Sequence, residues 1–344
     1  MLDLRGQFLK SLAKGLTALT VIAFLLWPSL AVGQGDAPAR IKSRSELVVV
    51  PVTVKDNHGN LISDLRRDDF RIFEDGVEQQ IALFSEEPFP LSAVVLVEDS
   101  LSLKSAEQVQ KSLISIAAGF GPADEVALMM YDEFPQTVLD FTSNNDQFYT
   151  QLKRTRIASE FPGDDTGPMT AGPRTNGRSD LPGVPNITDD TPSKETSCLT
   201  DAVYAAGEML RTRGRDRRKI IFLISDGANS RRNKMSTDDT IHLLLSADVS
   251  VYTISTGRAL LKHESRILEK YAVATGGDFF YASKQADLER LYKNVTEEAR
   301  NQFTLAYAPK NQDRSKDYHS IEVRVKRPGL DLNARQGYYS AIPR

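Results

Sequence analysis

The sequence predicts an α/β fold in which a doubly wound, mostly parallel sheet is inserted into a β-sandwich-like domain formed by N-terminal and C-terminal strands. Three observations support this. Between residues 91 and 300, continuous apolar runs alternate with helical patterns, which is typical of a parallel sheet covered by helices. The segments on either side show only strand patterns, with too few strands in each for a separate core. The 344 residues suffice for about two domains.

The N-terminal segment has the pattern of a secretory signal peptide. Basic residues precede the uncharged run Leu16–Trp27, and small residues follow at 31–33. We therefore predict a signal peptide over 1–33 and an exported mature chain that begins at Gln34. Its location would be periplasmic, cell-surface or secreted, without a membrane span. An uncleaved anchor stays an alternative, because Leu16–Val32 has 17 residues and is at the lower limit for crossing a bilayer.

Charge and cysteine content narrow the functional classes. The formal net charge is -3, and without residues 1–33 the chain has 40 basic and 45 acidic residues, or -5. This balance disfavours a nucleic-acid partner. The single cysteine, Cys198, cannot form an intramolecular disulfide, and we interpret it as an inert, buried side chain.

Residues 45–88, after a linker at 34–44, are predicted to form the first part of the β-sandwich. Leu47–Lys55 is rich in β-branched residues, and a cluster of turn-forming residues follows it. Asp69–Phe73 and Val77–Leu83 flank Glu74-Asp75-Gly76. Because Asp-Gly readily adopts the positive φ angles of a two-residue turn, these segments predict a hairpin.

Residues 89–300 are predicted to form the α/β domain. Apolar runs at 93–97, 220–224 and 249–254 are typical of buried parallel strands, and a further strand is expected at 278–283. Helical spacing covers 106–120, 201–213, 237–247, 264–274 and 287–302, with Ser105 and Gln108 as a capping box for the first helix. Residues 157–196 are rich in Pro and Gly and lack apolar periodicity, so we predict a flexible insertion.

Residues 301–342 return to strand patterns. Phe303–Tyr307 is followed by strict alternation over Ile321–Val325 and by a last segment that ends in Gly337-Tyr338-Tyr339. We predict that these strands complete the sandwich begun by residues 45–88. Two separate small β units packed on the α/β domain remain the alternative.

Oxygen-bearing side chains cluster at the ends of the predicted buried strands. Glu98, Ser100 and Ser102 follow the run at 93–97, and Asp226 follows the run at 220–224. The carboxyl ends of strands form the ligand-binding edge of an open α/β sheet. Ser197 opens a predicted helix beside this edge. Hard cations such as Mg²⁺ prefer oxygen ligands, so these five residues predict a metal site. A simpler interpretation is that the residues after the first strand only cap the next helix.

The order of these residues resembles a von Willebrand factor type A domain with its metal-ion-dependent adhesion site. The family's Asp-x-Ser-x-Ser motif matches Ser100 and Ser102, with Glu98 at the first Asp position. Its Thr position falls on Ser197, and its strand-four Asp on Asp226. The resemblance implies Mg²⁺ or Mn²⁺, held directly by Ser100 and Ser102 and directly or through water by Ser197. Glu98 and Asp226 would act mainly through water. An acidic residue of another protein would then complete the site.

The flanking segments are similar, more narrowly, to the VWFA-related Acidobacterial domain family. The matching motifs are Asp69-Phe70, Glu74-Asp75-Gly76 and Ala334-Arg335-x-Gly337-Tyr338-Tyr339. The two departures in the site, Glu98 for Asp and Ser197 for Thr, change the reach of a carboxylate and remove a methyl group. A degenerate or vestigial metal site is therefore an open alternative.

The resulting functional hypothesis is an exported, non-enzymatic, adhesion-type module that binds another protein. Motifs for a nucleophile elbow, a phosphate-binding loop, a dinucleotide site and a zinc protease are all missing from the sequence. The alternatives are a structural or assembly component and a metal-assisted hydrolase. Arg231, Arg232 and Lys234 follow Asp226 on the same edge, where they either attract an acidic partner or are simply solvated.

Overall fold

The structure, a computed structural model, describes residues 47–160, 174–175, 178–179, 197–256, 265–310 and 316–340. The predicted signal peptide at 1–33, the linker at 34–44 and most of the predicted insertion at 157–196 lie outside these ranges. None of the helices in the described ranges has the length and apolar character needed to cross a bilayer.

The strands, in chain order, are β1 (Val48–Asp56), β2 (Phe70–Glu74), β3 (Val77–Gln79), β4 (Ile81–Ser85), β5 (Leu91–Glu98), β6 (Leu101–Ser102), β7 (Glu125–Tyr131), β8 (Pro135–Thr142), β9 (Ser159–Glu160), β10 (Arg174–Thr175), β11 (Arg178–Ser179), β12 (Arg218–Ser225), β13 (Val249–Thr256), β14 (Phe279–Ala282), β15 (Phe303–Tyr307), β16 (Tyr318–Val325), β17 (Leu330–Ala334) and β18 (Gly337–Tyr339). The α-helices are α1 (Leu103–Ser112), α2 (Asn145–Arg154), α3 (Leu199–Arg211), α4 (Thr237–Ser246), α5 (Ser265–Thr275) and α6 (Gln285–Arg300). Short 3₁₀ helices cover Arg67–Asp69 and Leu113–Gly119.

A six-stranded sheet in the order β14-β13-β12-β5-β7-β8 forms the centre of the α/β part. Its strands run parallel except for the edge strand β8, which pairs antiparallel with β7. Every residue of β5 and β12 is buried. The reason is that α1, α2 and α6 pack on one face and α3, α4 and α5 on the other. The predicted fold class is confirmed.

The start of α1 differs from the prediction. The helix begins at Leu103, not near Ala106, and a 3₁₀ helix follows it instead of a continuous α-helix to Phe120. Ser105 is therefore inside the first turn, where it is buried, and the predicted capping box on Ser105 is wrong. The short strand β6 pairs with β9, and this pairing fixes the chain immediately before the helix.

Two four-stranded antiparallel sheets contain the strands from both ends of the chain. Their orders are β17-β1-β15-β4 and β18-β16-β2-β3. Strands β1 and β15 pair directly, as do β2 and β16, so residues before and after the α/β part share sheets. The apolar side chains between the sheets form one core, which includes Val50, Val52, Ile72, Leu305 and Ile321. The exact domain boundaries stay predictions.

The predicted hairpin turn has the expected backbone. Asp75 and Gly76 have φ angles of 47° and 79°, which the Asp-Gly pair adopts more readily than most residues. The second strand differs, because the predicted run Val77–Leu83 is interrupted at Gln80. Strand β3 pairs with β2, whereas β4 pairs with β15 in the other sheet. One sequence segment thus contributes to both halves of the sandwich.

A buried polar layer joins the sandwich to the central sheet. Arg218, at the start of β12, donates to Oε1 of Gln302 across 2.9 Å. Lys55 of β1 forms ion pairs with Asp278 and with Oε1 of Glu298, the latter at 2.6 Å. Burial raises the pKa of Glu298 to about 7, although Lys55 acts in the opposite direction. Charged contacts therefore help to fix the sandwich against the α/β part.

Candidate functional site

The side chain of Glu98 connects three separate chain segments at the carboxyl edge of the central sheet. It is fully buried at the end of β5. Its Oε1 accepts a hydrogen bond from Oγ of Ser197 (3.0 Å). Its Oε2 accepts one from Oγ of Ser225 (2.8 Å) and one from the backbone N–H of Asp226 (2.9 Å). The structure therefore brings together three of the five predicted ligands, Glu98, Ser197 and Asp226.

Strand register explains this convergence. Val97 lies opposite Ile224 in the parallel pair β5 and β12, so Glu98 and Ser225 follow at the same level. Glu98 also lies opposite Tyr131 of β7. Because parallel strands end at one edge, residues far apart in the sequence meet there.

Ser197 is held by the backbone immediately before α3. Its carbonyl accepts a hydrogen bond from the N–H of Ser230 (2.7 Å), and the N–H of Cys198 donates to the carbonyl of Asp132 (2.7 Å). The hydroxyl of Ser197 also lies 3.2 Å from the carbonyl oxygen of Ala228. A hydroxyl that donates its proton keeps lone pairs for another contact, so Ser197 can still act as a ligand.

The loop after β12 holds Asp226 in a tight turn. Gly227 has a φ angle of 86°, a conformation that favours glycine, and its N–H donates to Oγ of Ser225 (2.9 Å). Oδ1 of Asp226 accepts a hydrogen bond from the N–H of Ala228 (2.9 Å). Asp226 is buried. The position of this carboxylate is thus set by its own loop as well as by Glu98.

Further contacts attach the same loop to the start of α3. The side chain of Asn233 accepts a hydrogen bond from the N–H of Asp201 (2.9 Å). The carboxylate of Asp201 accepts hydrogen bonds from the N–H groups of Lys234 (2.9 Å) and Met235 (2.8 Å). The helix start that follows Ser197 and the loop that follows Asp226 therefore form one connected unit.

Ser100 and Ser102 lie on the chain that follows Glu98, and neither is hydrogen-bonded to it. Ser100 is half-buried and Ser102 is exposed. The hydroxyl of Ser102 donates to Oγ of Ser105 across 3.0 Å. Ser102 is the N-cap residue of α1, but its side chain makes no capping hydrogen bond. Simple helix capping therefore does not account for Ser102.

Burial and neighbouring charge both act on Glu98. Burial raises its pKa, and the nearby carboxylate of Asp226 raises it further, while the three donated hydrogen bonds act in the opposite direction. Burial, followed by the charge of Glu98, also raises the pKa of the adjacent Tyr131 hydroxyl. A cation close to the two carboxylates would reduce their mutual repulsion.

The donor set fits a hard, oxygen-ligated cation. Glu98 and Asp226 offer carboxylates, and Ser100, Ser102 and Ser197 offer hydroxyls. In the part of the chain that the structure describes, no three His, Cys, Asp or Glu side chains are grouped so that they could hold a metal. A site here therefore depends on hydroxyls together with two carboxylates, which suits Mg²⁺ or Mn²⁺.

Two residues that contact the site were not predicted. Ser225 donates to Glu98 although the two are 127 positions apart in the sequence. Its only sequence signal was its place before Asp226 at the end of an apolar run. Tyr131 ends β7, a strand that was not predicted. Both side chains contribute to the surroundings of Glu98, and neither was a candidate ligand.

No protein-family model and no curated protein matches the chain. Solved structures to which it is similar include proximal thread matrix protein 1 from the mussel byssus, at 14% identity, with 62% of this chain and 49% of that chain covered and a TM-score of 0.44. This chain thus spans about half the length of the mussel protein. Another structure of that mussel protein has a zinc-occupied MIDAS motif.

Two bacterial structures are similar as well. A von Willebrand factor type A protein from Catenulispora acidiphila has 10% identity, with 86% of this chain and 74% of that chain covered and a TM-score of 0.44. The conserved hypothetical protein BatB from Bacteroides thetaiotaomicron has 10% identity, with 61% and 98% covered and a TM-score of 0.40. By its own strand order and by the helices on both faces of its sheet, the chain has a doubly wound α/β fold.

Proposed function

We propose that the chain is an exported, non-enzymatic protein-binding module that holds a divalent cation at the carboxyl edge of its central sheet. The observation that carries the proposal is the convergence on Glu98, where hydrogen bonds unite the segment of Ser197 with the segment of Asp226. These segments come from separate parts of the sequence. Their meeting produces an edge rich in oxygen ligands.

In this proposal the hydroxyls of Ser100 and Ser102 bind Mg²⁺ or Mn²⁺ directly, and the hydroxyl of Ser197 binds it directly or through water. Asp226 acts mainly through water. The carboxylate of Glu98 already accepts three hydrogen bonds from the protein, which supports a water-mediated role that also positions Ser197 and Asp226. A cation with few direct carboxylate ligands keeps its attraction for one more carboxylate, which an acidic residue of a protein partner would supply.

The family, the cellular location and the domain boundaries of the chain are also part of the proposal. Similarity of the flanking motifs supports membership of the VWFA-related Acidobacterial domain family, and the N-terminal pattern supports export to the periplasm, the cell surface or the medium. The proposed division is 45–88 and 301–342 for the sandwich and 89–300 for the α/β domain. No nucleic-acid partner is proposed.

Affinity capture tests the proposal. The purified chain, immobilised, is incubated with the exported fraction in Mg²⁺ and in a chelator. The proposal predicts a partner that is retained in Mg²⁺ and released by the chelator, and whose retention is lost in Asp226→Asn. The exposed Asp146→Asn in α2 is the matched control and should retain the partner. A partner that binds equally with and without Mg²⁺ contradicts the cation-dependent function.

A second candidate is a structural or assembly component with a vestigial site. It is favoured by the same hydrogen bonds, because the oxygens of Glu98 already have protein donors and Ser102 is bonded to Ser105. In that case the polar residues would stabilise the edge of the sheet without a cation. Calorimetric titration with Mg²⁺ and Mn²⁺ separates the two candidates, because only the first predicts divalent binding.

A further inference from the structure

We propose that Asp99 and Gln110 are positioning residues of the candidate cation site, because they hold the chain segment against which Ser100 and Ser102 are fixed. The segment that they hold is 155–158, which directly follows α2. The inference rests on the proposed cation-binding function and adds to it two residues that were not candidate ligands.

The carboxylate of Asp99 is bonded to a distant part of the chain. Its Oδ1 accepts a hydrogen bond from the N–H of Ala158 (2.7 Å), 59 positions further along the sequence. The backbone N–H of Asp99 donates to the carbonyl of Tyr131 in the neighbouring strand β7 (2.7 Å). A hydrogen bond to a charged acceptor is stronger than one between neutral groups. Asp99 therefore links the carboxyl end of β5 both to β7 and to the segment 155–158.

Gln110 holds the same segment from α1. Its Nε2 donates to the carbonyl of Thr155 (3.1 Å), and its Oε1 accepts a hydrogen bond from the N–H of Ile157 (2.9 Å). A glutamine amide has a donor and an acceptor side by side, so one side chain can satisfy both backbone groups. The segment 155–158 has no regular secondary structure, and its backbone depends on such partners. The end of β5 and the middle of α1 are thus attached to one segment.

The segment 155–158 leads directly into β9, and β9 pairs with β6, the strand that carries Ser102. In this pairing Ser102 lies opposite Glu160. Ser100 lies between Asp99 and the fully buried Leu101. The backbone on both sides of Ser100 is therefore fixed, and the backbone of Ser102 is fixed by the pairing. Since metal ligands depend on neighbouring contacts that orient them, loss of these contacts would displace both hydroxyls.

Substitutions separate the position of the ligands from the charge of Asp99, which could itself attract a cation. Asp99→Asn removes the charge but keeps a side-chain oxygen as acceptor, whereas Asp99→Ala removes both. Gln110→Ala removes two hydrogen bonds without changing the charge. Gln108→Ala is the matched control, because Gln108 is another half-buried glutamine of α1 and its side chain donates to the carbonyl of Ser283 (3.3 Å).

Calorimetric titration of the full chain with Mg²⁺ is the first measurement. We expect Asp99→Ala and Gln110→Ala to weaken Mg²⁺ binding by about tenfold, as the loss of contacts behind a metal ligand does. Asp99→Asn and Gln108→Ala should bind Mg²⁺ as the wild type does. Equal weakening in Asp99→Asn and Asp99→Ala would show that the charge of Asp99 acts on the cation, and this result overturns its positioning role. Wild-type affinity in both Asp99→Ala and Gln110→Ala also overturns the inference.

Amide hydrogen exchange, followed by mass spectrometry without Mg²⁺, separates this inference from the proposed function. Peptides that cover 99–105 and 155–160 should exchange about tenfold faster in Asp99→Ala and Gln110→Ala than in Asp99→Asn and Gln108→Ala. If no divalent cation binds to the wild type but exchange changes in this way, the positioning of Ser100 and Ser102 stands and cation-dependent binding is wrong. If Mg²⁺ binds but exchange is the same in every variant, the positioning role is wrong and the cation site stands.

Discussion

The backbone N–H of Asp226 donates to Oε2 of Glu98 across 2.9 Å, so the side chain of one candidate ligand holds the backbone of another. Because Glu98 is fully buried, this hydrogen bond is shielded from water. The same carboxylate holds Ser197 through its second oxygen. Glu98 is therefore a structural link between the segments of the site, whether or not it contacts a cation.

Replacement of Glu98 tests this link. In Glu98→Ala the hydroxyls of Ser197 and Ser225 and the N–H of Asp226 lose their acceptor, so the free energy of unfolding should fall by about 3 kcal/mol. Glu98→Gln keeps one carbonyl acceptor and should lose less. The exposed Glu107→Ala in α1 is the control and should have a stability close to that of the wild type. Urea unfolding measures all three, and wild-type stability in Glu98→Ala would refute the structural role.

The buried carboxyl group of Glu298 predicts a pH dependence of stability. The pKa of Glu298 is raised from 4.5 to about 7 in the folded chain, mainly by burial. The folded state therefore holds this proton more tightly than the unfolded state, and the contribution to stability is lost as the pH rises through about 4.5 to 7. The loss should reach about 3 kcal/mol.

Glu298→Gln removes this titration. Relative to the wild type, its free energy of unfolding should fall less between about pH 5 and about pH 8. The neighbouring, more exposed Glu297→Gln should keep the wild-type slope. Urea unfolding over a pH series measures the difference, and parallel curves for wild type and Glu298→Gln would exclude the raised pKa of this group.

Gly276 and Gly59 have similar positive φ angles, but only Gly276 lies close to another strand. Comparing substitutions at the two positions therefore distinguishes the cost of backbone strain from the cost of a steric clash. Gly276 follows α5 with a φ angle of 76°, and a Cβ there would lie 2.8 Å from the carbonyl carbon of Ala334 and also contact the backbone N of Arg335. Gly59 has a φ angle of 80° with nothing within 4 Å of such a Cβ. Gly59→Ala should cost about 1 kcal/mol, and Gly276→Ala at least about 2 kcal/mol more. Equal losses of stability on thermal unfolding would show that the close approach of β17 is not needed.

A tyrosine hydroxyl joins the hairpin motif to the C-terminal strands. The hydroxyl of Tyr307 donates to Oε2 of the buried Glu74 across 2.6 Å, and Tyr338 donates to the same oxygen across 3.2 Å. Tyr307→Phe should lower the free energy of unfolding by about 2 kcal/mol, because a hydrogen bond to a buried carboxylate is lost. The exposed Tyr149→Phe should be neutral. Equal stability of both variants would show that the contact to Glu74 contributes little.

The central strands were predictable where the sequence is apolar on both faces, as in β5 and β12. Strand β7 was missed, because its residues after Val126 are Ala, Leu and Met, which favour helix when considered alone. Pairing with β5 on one side and β8 on the other makes it a strand. Strand β8 begins with Pro135, which an edge strand tolerates. Both segments are strands because they pair with neighbouring strands, and not because of their local sequence preference.

The two carboxylates of the site could be predicted because they lie at the ends of predicted strands. Glu98 and Asp226 were identified because both follow buried parallel strands. The role of Ser225 could not be inferred, because its hydrogen bond to Glu98 depends on the register of β5 against β12.

Isothermal titration calorimetry with Mg²⁺ and Mn²⁺ tests the central claim most directly. We predict weak divalent binding to the wild type that is abolished by Asp226→Ala and is unchanged or strengthened by Glu98→Asp, because the shorter carboxylate restores the usual residue of the motif. Absence of binding in both the wild type and Glu98→Asp would contradict a cation site and favour a vestigial one.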